Sequence, residues 1–377
     1  MNFSTDITNY PYIRARDIKG GKIQTDDLIY IDDAVFNKIK KYIIKSGDIA
    51  ITIVGASVGD VAYAQKEVDG FNLTENAVRL TEFNSIVNGK YLFYVLNQEQ
   101  YHEYMQTVAG GAAQPKLGIY KVERIKVVLP AIEVQNKIVK YLSCLDVAIE
   151  NNNKRIRLLE QMAENLYKEW FAYHKIKNDA KEVGITDFVS ITRGLSYSSE
   201  EIECEDGNDL INLKNIQAYG GFRLDGTKKY NGKYKDEQIV IEGDLIMGVT
   251  DMTQDRRTVG SVALIPNTST LSVISADLIK LTSDIDNVYL YAMFRWGNVS
   301  RYISQFANGA NVLHLRPQVL KNVKILLPSK AEIDKYVENV KPMIQMINKL
   351  NTENNYLSRQ RDLLLPRLMS GKLEVYF

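Results

Sequence analysis

A heptad pattern in residues 138–170 constrains the fold of this chain more than any other feature. Apolar side chains recur there at alternating steps of four and three residues, as in a coiled-coil helix. The series is Ile138, Leu142, Leu145, Ile149, Asn152, Ile156, Leu159, Ala163, Leu166 and Trp170. A second series lies 198 positions later: Tyr336, Val340, Met343, Ile347, Leu350, Asn354, Leu357, Arg361, Leu364 and Leu368. The sequence therefore predicts two long helices that repeat one another.

Landmarks outside the helices share nearly the same offset, which indicates a tandem duplication. Three pairs are 198 positions apart: Tyr91 and Tyr289, Gly111 and Gly309, and the segments 125–130 (IKVVLP) and 323–328 (VKILLP). The offset is 196 for Gly47 and Gly243, and 201 for Gly59 and Gly260. Insertions are therefore expected between strands. The alternative is a chance match of two hydrophobic patterns.

Length and local composition predict the fold class. A chain of 377 residues exceeds what one core usually supports. Short β-branched and aromatic runs, such as 49–54 and 125–129, predict strands, and the spacing in 91–104 predicts a helix. We predict mixed α/β (α+β) globules in tandem, separated by two long α-helices that form an antiparallel coiled coil with pseudo-twofold symmetry. The segments are 1–130 (globule), 131–180 (helix and connector), 181–328 (globule) and 329–377 (helix to about Met369 and tail).

The polar positions of the two heptad series predict the direction of pairing. Parallel helices would bury Asn152 against Leu350, at a cost of about 1–3 kcal/mol. Antiparallel helices with Ile138 near Leu368 would instead pair Asn152 with Asn354, and a buried amide pair can fix register. The same register places Leu145 by Arg361 and Trp170 by Tyr336. Alternatively, both amides lie at a wet edge of the seam.

Composition excludes several classes of protein. Lys plus Arg number 47 against 46 for Asp plus Glu, so any basic surface must be local. Cys144 and Cys204 lack CxxC spacing, which favours two free thiols in a reducing compartment. Neither a signal sequence nor an apolar run of about 18 residues is present, so we expect a cytoplasmic protein without a membrane partner.

Enzyme motifs are also missing from the sequence. There is no Pro-Pro pair, no GxGxxG and no GxxxxGK[ST], and histidine occurs only at positions 102, 174 and 314. Carboxylates are plentiful but show no nuclease spacing. We therefore expect neither catalytic residues nor a metal site.

Two similar globules at a fixed separation suit a split DNA site. A helix over 138–170 would extend about 48 Å, longer than one B-DNA turn of about 34–36 Å. A pseudo-twofold arrangement would match the symmetry of a palindromic duplex. The pattern therefore favours double-stranded DNA as the partner.

The segment IKVVLP, the amphipathic helix after it and the aromatic pair Trp170–Phe171 resemble the central conserved region of type I restriction-modification specificity subunits. The C-terminal VKILLP and RDLLLPRLMSGKLEV resemble the distal conserved region, and ITRGLSYSS at 191–199 resembles part of a target recognition domain. The resemblance implies two target recognition domains, each for one half of a split DNA sequence. It also implies that the helices set the gap and dock two methyltransferase subunits. Restriction subunits would join this assembly, and S-adenosylmethionine would bind to the methyltransferase, with no cofactor on this chain.

The first domain departs from this family pattern. The counterpart of residues 183–198 would fall before Met1, so the first domain is expected to lack its opening strand and turn. Residues 373–377 could fill that edge, because the family's circular arrangement brings the C-terminus near the first domain. An upstream start codon or a truncated first domain are the alternatives.

DNA-contacting residues are expected in loops flanked by glycine, where side chains can reach bases and phosphates. The candidates of the first globule are Arg14, Arg16, Ser57 in the turn 55–59, and Gln114 and Lys116 in 110–116. Those of the second are Arg193, Arg223, Lys228, Lys229, Gln254, Arg256, Arg257, Asn311, His314 and Arg316. Each one alone could be an ordinary solvated side chain, and the matched turns at 110 and 308 could be scaffold. If Arg256 or Arg257 contacts a guanine, alanine there should cost about 1–3 kcal/mol at one base pair.

Two other functions remain open at this point. One is a coiled-coil adaptor whose globules bind proteins, and the other is a nuclease, or the recognition subunit of another DNA-modifying complex. Salt-dependent binding to duplex DNA would argue against the adaptor. Metal-dependent cleavage by the chain alone would support the nuclease.

Overall fold

The computed structural model describes residues 3–111, 115–173, 180–202, 206–268 and 270–369. The chain divides by packing into two compact units. Unit 1 comprises Met1–Val147 and Arg359–Phe377, and unit 2 comprises Ala148–Ser358. The four-segment division of the sequence stays a prediction. None of the helices in the described ranges is long and apolar enough to cross a membrane.

The described part of unit 1 contains two sheets and four short α-helices. Its strands are β1 (Pro11–Ile13), β2 (Ile18–Lys19), β3 (Gly21–Ile23), β4 (Ile29–Tyr30), β5 (Ile49–Thr52), β6 (Val61–Tyr63), β7 (Asn72–Leu73) and β8 (Ala77–Leu80). Its helices are α1 (Asp33–Ile39), α2 (Gly89–Leu96), α3 (Glu99–Val108) and α4 (Ile119–Val122). The strand orders are β4-β1-β7 and β2-β3-β6-β5-β8. The long helix α5 follows at Ile132–Tyr167 and continues into a π-helical turn at Lys168–Tyr173.

Unit 2 contains twelve strands in the part of it that the structure describes. They are β9 (Lys181–Gly184), β10 (Ser190–Arg193), β11 (Asn208–Ile211), β12 (Lys228–Tyr230), β13 (Ile239–Val240), β14 (Leu245–Gly248), β15 (Thr250–Asp251), β16 (Val262–Leu264), β17 (Ser272–Ile274), β18 (Leu278–Thr282), β19 (Leu313–His314) and β20 (Lys324–Leu327). The helices are α6 (Asn287–Trp296), α7 (Val299–Ser304) and the final long helix α8 (Lys330–Met369). The strand orders are β12-β11-β17-β13, β10-β18-β14-β16, β15-β19 and β20-β9.

Equivalent strands pair in the same way in both units, which confirms the predicted internal repeat. β1 is antiparallel to β4 and parallel to β7, and β11 is likewise antiparallel to β12 and parallel to β17. β5 lies between β6 and β8, as β14 lies between β16 and β18. Every residue of β5 and β14 is buried. This agrees with their nearly continuous apolar sequences, which suit strands covered on both faces.

The opening strands distinguish the two units. In unit 2, β10 pairs with β18 and β9 pairs with β20. Among the described residues of unit 1, β8 has a strand partner only in β5. The prediction of a strand at 125–129 is wrong: tyrosine hydroxyls donate to two of its carbonyl oxygens, from Tyr91 to Val128 and from Tyr101 to Lys126, each at 3.3 Å. A strand needs a neighbour to pair with its backbone. Residues 373–377 lie outside the described ranges.

The predicted single helix at 91–104 is also wrong, because two helices occupy this region. α2 ends at Leu96 and α3 begins at Glu99. The intervening Gln98 has an extended backbone with ψ of 147°, which a continuous helix cannot accommodate.

Within unit 2, the two long helices run antiparallel as predicted. The Tyr336 hydroxyl donates to the Ala163 carbonyl at 3.4 Å, and the Trp170 and Tyr336 rings lie 6.1 Å apart. At the other end of this pairing, Asn354 Nδ2 donates to Asn153 Oδ1 at 2.9 Å. Among the described residues, no hydrogen bond joins Asn354 to Asn152, the residue with which the predicted register pairs it. Asn152 Nδ2 and Asn354 Oδ1 are buried without hydrogen-bond partners in the described part of the chain.

Within unit 1, the remaining turns of the same helices pack against the globule. Ile138 and Leu142 of α5 share a buried apolar cluster with Leu365 and Leu368 of α8, close to the predicted register. Arg361 Nη1 lies 3.2 Å from Asp146 Oδ1, one residue from its predicted neighbour Leu145. The heptad series thus contributes directly to the core.

Candidate nucleic-acid interface

A two-stranded ribbon in unit 2 brings two of the predicted loops together. β15 pairs with β19, with Thr250 opposite His314. The loop at 252–258 leaves β15 and the turn at 308–316 contains β19, and Gln254 Nε2 joins them by donating to the Ala310 carbonyl at 3.0 Å. Six predicted residues lie on these loops: Gln254, Arg256, Arg257, Asn311, His314 and Arg316. We call them the ribbon group.

Asp251 anchors the first of these loops at both ends. Asp251 is 2% exposed; its Oδ1 accepts the backbone N–H of Thr253 at 2.8 Å and its Oδ2 accepts that of Thr258 at 2.7 Å. Burial by itself would raise the pKa of Asp251, but hydrogen bonds from Thr258 and Thr253 outweigh it and hold the pKa below its usual value. The ionised carboxylate therefore fixes the loop that carries Gln254, Arg256 and Arg257.

The two adjacent arginines differ in environment. Arg257 forms an exposed ion pair with Asp255 at 2.8 Å, and such surface pairs contribute little, so a phosphate or base could replace the carboxylate. Arg256 has a left-handed backbone with φ of 53°, and its buried Nε has no hydrogen-bond partner among the described residues. Backbone strain of this kind costs about 1–3 kcal/mol and clusters at functional sites.

The turn at 308–314 is closed by two reciprocal backbone hydrogen bonds. Asn308 N–H donates to the His314 carbonyl at 3.1 Å, and His314 N–H donates back to Asn308 at 2.9 Å. Gly309 has φ of 155°, and a Cβ there would lie 1.8 Å from the Val312 carbonyl oxygen. Glycine is therefore required, and the exposed Asn311, His314 and Arg316 project from a turn of defined geometry.

Unit 1 has an equivalent platform. Gly110 and Lys116 form the same reciprocal backbone hydrogen bonds at 3.0 and 2.7 Å, and Lys116 bridges to Val54 as His314 pairs with Thr250. Gly55 N–H donates to the Pro115 carbonyl at 3.0 Å, which places the turn with Ser57 beside this loop. Ser57 is half-buried and Lys116 is exposed. The candidate Gln114 lies outside the described residues.

The arginines near the start of unit 1 are held by carboxylates. Arg14 donates to Asp17 through Nε and Nη2, each at 2.8 Å, and also to the backbone carbonyl of Asp27. Its counterpart 198 positions later, Asn212, is a buried residue. Arg14 therefore occupies a scaffold position, while the exposed Arg16 forms a 2.9 Å ion pair with Asp27.

The remaining candidates of unit 2 lie on other elements than the ribbon. The exposed Arg193 ends β10, and Arg223 is paired with Asp225 at 2.6 Å. On β12, Lys228 Nζ lies 5.7 Å from the Tyr197 ring centroid, and Lys229 forms a 2.9 Å ion pair with Asp209. These partners of Arg223, Lys228 and Lys229 all lie outside the ribbon group.

Sequence reasoning missed Tyr219, which the structure places beside the ribbon group. Its backbone N–H donates to the Arg257 carbonyl at 2.8 Å, and its side chain is 66% exposed. One tyrosine among 23 in the chain gives no periodic signal. Only its neighbours Gly220 and Gly221 pointed to a special backbone at this position.

Hydrogen-bond donors dominate the chemistry of the ribbon group. Arginine, asparagine, glutamine and histidine side chains can donate to base edges, and arginine can also donate to phosphates. Among the described residues, no cluster of histidine, cysteine and carboxylate side chains could hold a metal ion. The arrangement suits recognition of a polyanion with base-edge acceptors.

The fold and these loops are those of a duplicated recognition protein, in which each unit presents a platform of two hydrogen-bonded loops.

A family model for the type I restriction modification DNA specificity domain matches residues 4–161 and 177–358. The chain is 24% identical to the type I restriction enzyme MjaVIII specificity subunit of Methanocaldococcus jannaschii, over 92% of this chain and 85% of that protein. It is 22% identical to the HindI specificity subunit of Haemophilus influenzae, over 98% of this chain and 96% of that protein. A crystal structure of the type I restriction-modification S subunit from M. genitalium has a similar fold, with a TM-score of 0.57 at 14% identity over 96% of this chain and 88% of that one.

The chain belongs to the type I restriction-modification DNA specificity family. Specificity subunits are non-catalytic, so this chain is a DNA-recognition subunit rather than an enzyme. S-adenosylmethionine belongs to the partner methyltransferase, and the subunit has no cofactor of its own. The adaptor and nuclease alternatives are not favoured.

Proposed function

We propose that unit 1 and unit 2 each recognise one half of a bipartite duplex target, for a methyltransferase that modifies the DNA. The observation that carries this proposal is the repeated platform: Val54 with Lys116 in unit 1, and Thr250 with His314 in unit 2. Equivalent strands hold loops of different sequence in the two units. Such an arrangement can recognise two unlike half-sites.

In unit 2, the ribbon group supplies the contacts to bases and phosphates. Arg256 and Arg257 can each donate two hydrogen bonds to a guanine, while Gln254 and Asn311 have the side-chain amide that suits adenine. In unit 1, Lys116 and the loop around Ser57 have the corresponding role. These assignments rest on the position of each residue in the two loops, and a base-by-base binding assay tests them.

The partners of this chain are DNA and a type I restriction-modification complex. We assign two methyltransferase subunits to the exposed faces of the long helices, with restriction subunits added to that assembly. In unit 2, Leu158 and Met162 are exposed one helical turn apart, and in unit 1 Tyr141 and Val147 are exposed. Exposed apolar side chains on a helix are suitable for binding another protein. We place the complex in the cytoplasm, where it meets its DNA.

The experiment that tests this function uses the chain purified with its methyltransferase. Binding is measured by fluorescence anisotropy on a duplex that contains the motif found by methylome sequencing, at several salt concentrations. Two further duplexes have one half-site or the other scrambled. We expect salt-dependent binding, because phosphate contacts release counterions, and a large loss of affinity for either scrambled duplex.

Equal binding to all three duplexes would contradict the proposal. Binding that does not depend on salt would favour the protein adaptor instead. Cleavage of the duplex by this chain without the methyltransferase, in the presence of added Mg²⁺, would favour the nuclease.

A further inference from the structure

The loop at residues 217–221 presents an exposed tyrosine from a rigid turn. Gln217 N–H donates to the Gly221 carbonyl and Gly220 N–H donates to the Gln217 carbonyl, each at 2.9 Å. Gly221 N–H in turn donates to Val262 in β16 at 2.9 Å. Tyr219 lies within this turn, and its backbone is therefore fixed while its ring is exposed.

The backbone of Tyr219 is left-handed, with φ of 64°. Side chains with a Cβ rarely adopt this conformation, and glycine or asparagine would adopt it at lower cost. Tyrosine therefore brings conformational strain and an exposed ring to a position where a smaller residue would be more stable. A role for the ring outside the fold accounts for both properties.

A partly buried ion pair lies next to this turn. A Cβ at Gly220 would lie 3.0 Å from Arg295 Cδ, so the turn rests directly on the Arg295 side chain. Arg295 Nη1 is 2.9 Å from Glu160 Oε1 of α5, and its guanidinium lies 5.5 Å from the Tyr291 ring and 5.6 Å from the Trp296 ring. These contacts fix Arg295 in place, and they give the turn a rigid base.

The backbone of Tyr219 is bonded to a loop of the ribbon group. The hydrogen bond from Tyr219 N–H to Arg257 joins the turn to the loop that carries Arg256 and Arg257. Arg256 has the same left-handed backbone conformation, with φ of 53°. Two neighbouring loops are thus linked by one hydrogen bond, and each contains a strained residue.

We propose that Tyr219 is a specificity-determining residue that contacts base edges in the half-site recognised by unit 2. This inference rests on the proposed function. The face of the ring can contact a thymine methyl group, as apolar side chains do in the major groove. The aromatic ring brings a large contact area with little conformational freedom to lose on binding.

The test compares three variants of the full chain in complex with its methyltransferase: Tyr219→Gly, Tyr219→Phe and Ala218→Gly. Affinity is measured on the cognate duplex and on duplexes with single base-pair changes in each half-site. We expect Tyr219→Gly to bind the cognate duplex about tenfold more weakly, or about 1.4 kcal/mol, and to lose discrimination at one or two base pairs of one half-site. Tyr219→Phe retains the ring and should stay within about twofold of the wild type. Ala218→Gly alters the same turn without removing the ring and should leave the base preference unchanged.

Thermal unfolding separates the proposed role from a structural one. Because glycine adopts a positive φ freely, the unfolding midpoint of Tyr219→Gly should equal or exceed that of the wild type. Unchanged discrimination by Tyr219→Gly would overturn the inference, and so would an equal loss of affinity on every duplex, which would mark a phosphate contact. If the wild-type complex itself shows no sequence preference, the proposed function fails and this inference fails with it.

Discussion

The loop after the central strand differs between the two units far more than the strands around it. In unit 1 it spans residues 55–59, and in unit 2 it spans 251–260, although both are closed by the same backbone hydrogen bonds. Gly59 N–H donates to Thr52 at 3.0 Å, and Gly260 N–H donates to Gly248 at 2.8 Å. The longer loop contains Asp251 and the arginine pair. The strands are therefore the same in both copies of the duplication, whereas the loop between them differs in length and sequence.

Recognition can change in this loop without loss of the fold. Strands that are buried on both sides tolerate few substitutions, whereas a loop closed by backbone hydrogen bonds can be lengthened at small entropic cost. The anchoring carboxylate of Asp251 is specific to the longer loop, since its structural counterpart is Gly55. Unit 2 thus stabilises its extra residues with an internal hydrogen-bond acceptor.

Exchange of the loop is expected to have the largest effect. In a variant with GASVG, the sequence of 55–59, in place of residues 251–260, the closing hydrogen bonds can still form and unit 2 should fold. Recognition of one half-site should fall by more than about 100-fold, because several contacts of about 1–3 kcal/mol each are removed. Methylation of duplexes with each half-site scrambled in turn measures this loss, and circular dichroism checks the fold. An unchanged target sequence would show that the loop is not part of the DNA interface.

Asp251→Ala should destabilise unit 2 by about 1.5–3 kcal/mol, since four hydrogen bonds to a buried carboxylate are lost. Asp255→Ala is the matched control, because the exposed pair of Asp255 with Arg257 contributes about 0–1 kcal/mol. Chemical denaturation measures both variants. Equal effects of the two substitutions would contradict the anchoring role of Asp251.

The same carboxylate predicts a pH dependence. The pKa of Asp251 is lowered by folding, so its stabilisation is fully present above the unfolded-state value of 3.8 and is lost as the pH falls through the lower folded-state pKa. The stability difference between wild type and Asp251→Ala should therefore be constant near pH 7 and should shrink below about pH 4. A difference that grows on acidification would argue against this assignment.

Gly309→Ala should destabilise the turn at 308–314 by about 1–3 kcal/mol, because φ is positive and the new Cβ would meet the Val312 carbonyl. The control in unit 1 is Gly110→Ala, where no atom of the described residues lies within 4 Å of the point that a Cβ would occupy. Hydrogen exchange of the His314 amide reports on the turn in unit 2, and that of the Lys116 amide reports on its counterpart in unit 1. Fast exchange of the Lys116 amide in the Gly110 variant, without fast exchange of the His314 amide in the Gly309 variant, would contradict the requirement for glycine at position 309.

Arg14→Ala should have the smallest effect, a loss of about 1 kcal/mol in the stability of unit 1 with no change in base preference. Its backbone N–H bonds to Asp17 at 2.8 Å, as that of Asn212 bonds to Asn215 at 2.9 Å in unit 2. Both positions therefore belong to the shared scaffold. Arg16→Ala is the exposed control, and a changed methylation motif in the Arg14 variant would reassign that residue to the DNA interface.

Periodicity and repetition in the sequence predicted the main architecture. The heptad series located both long helices, and the contacts of Trp170 with Tyr336 and of Asn153 with Asn354 show the predicted antiparallel direction. Asn354 bonds to Asn153, one residue from the predicted Asn152. Heptad spacing does not specify how side chains on a helix surface are rotated. The β-branched run at 125–129 predicted a strand, but strand formation depends on a neighbouring strand that the sequence pattern does not reveal.

The candidate interface was predictable as loops and much less so as individual residues. Glycine-rich turns located the platform, since Gly309 and Gly260 adopt positive φ values that glycine permits. The left-handed backbone at Arg256 has no local sequence signal, and at Tyr219 the only signal is the neighbouring pair Gly220 and Gly221. The charge of Arg14 suggested a DNA contact. In the structure Arg14 donates to Asp17 instead, and this hydrogen bond depends on side-chain geometry that the sequence does not show.

Recognition by two separate units can be measured by methylome sequencing of a host with this chain and of the same host after its deletion. We expect a methylated motif of two defined blocks separated by an undefined spacer, and its complete loss in the deletion strain. A motif that persists without this chain, or a single continuous motif that depends on it, would contradict recognition by two separate units.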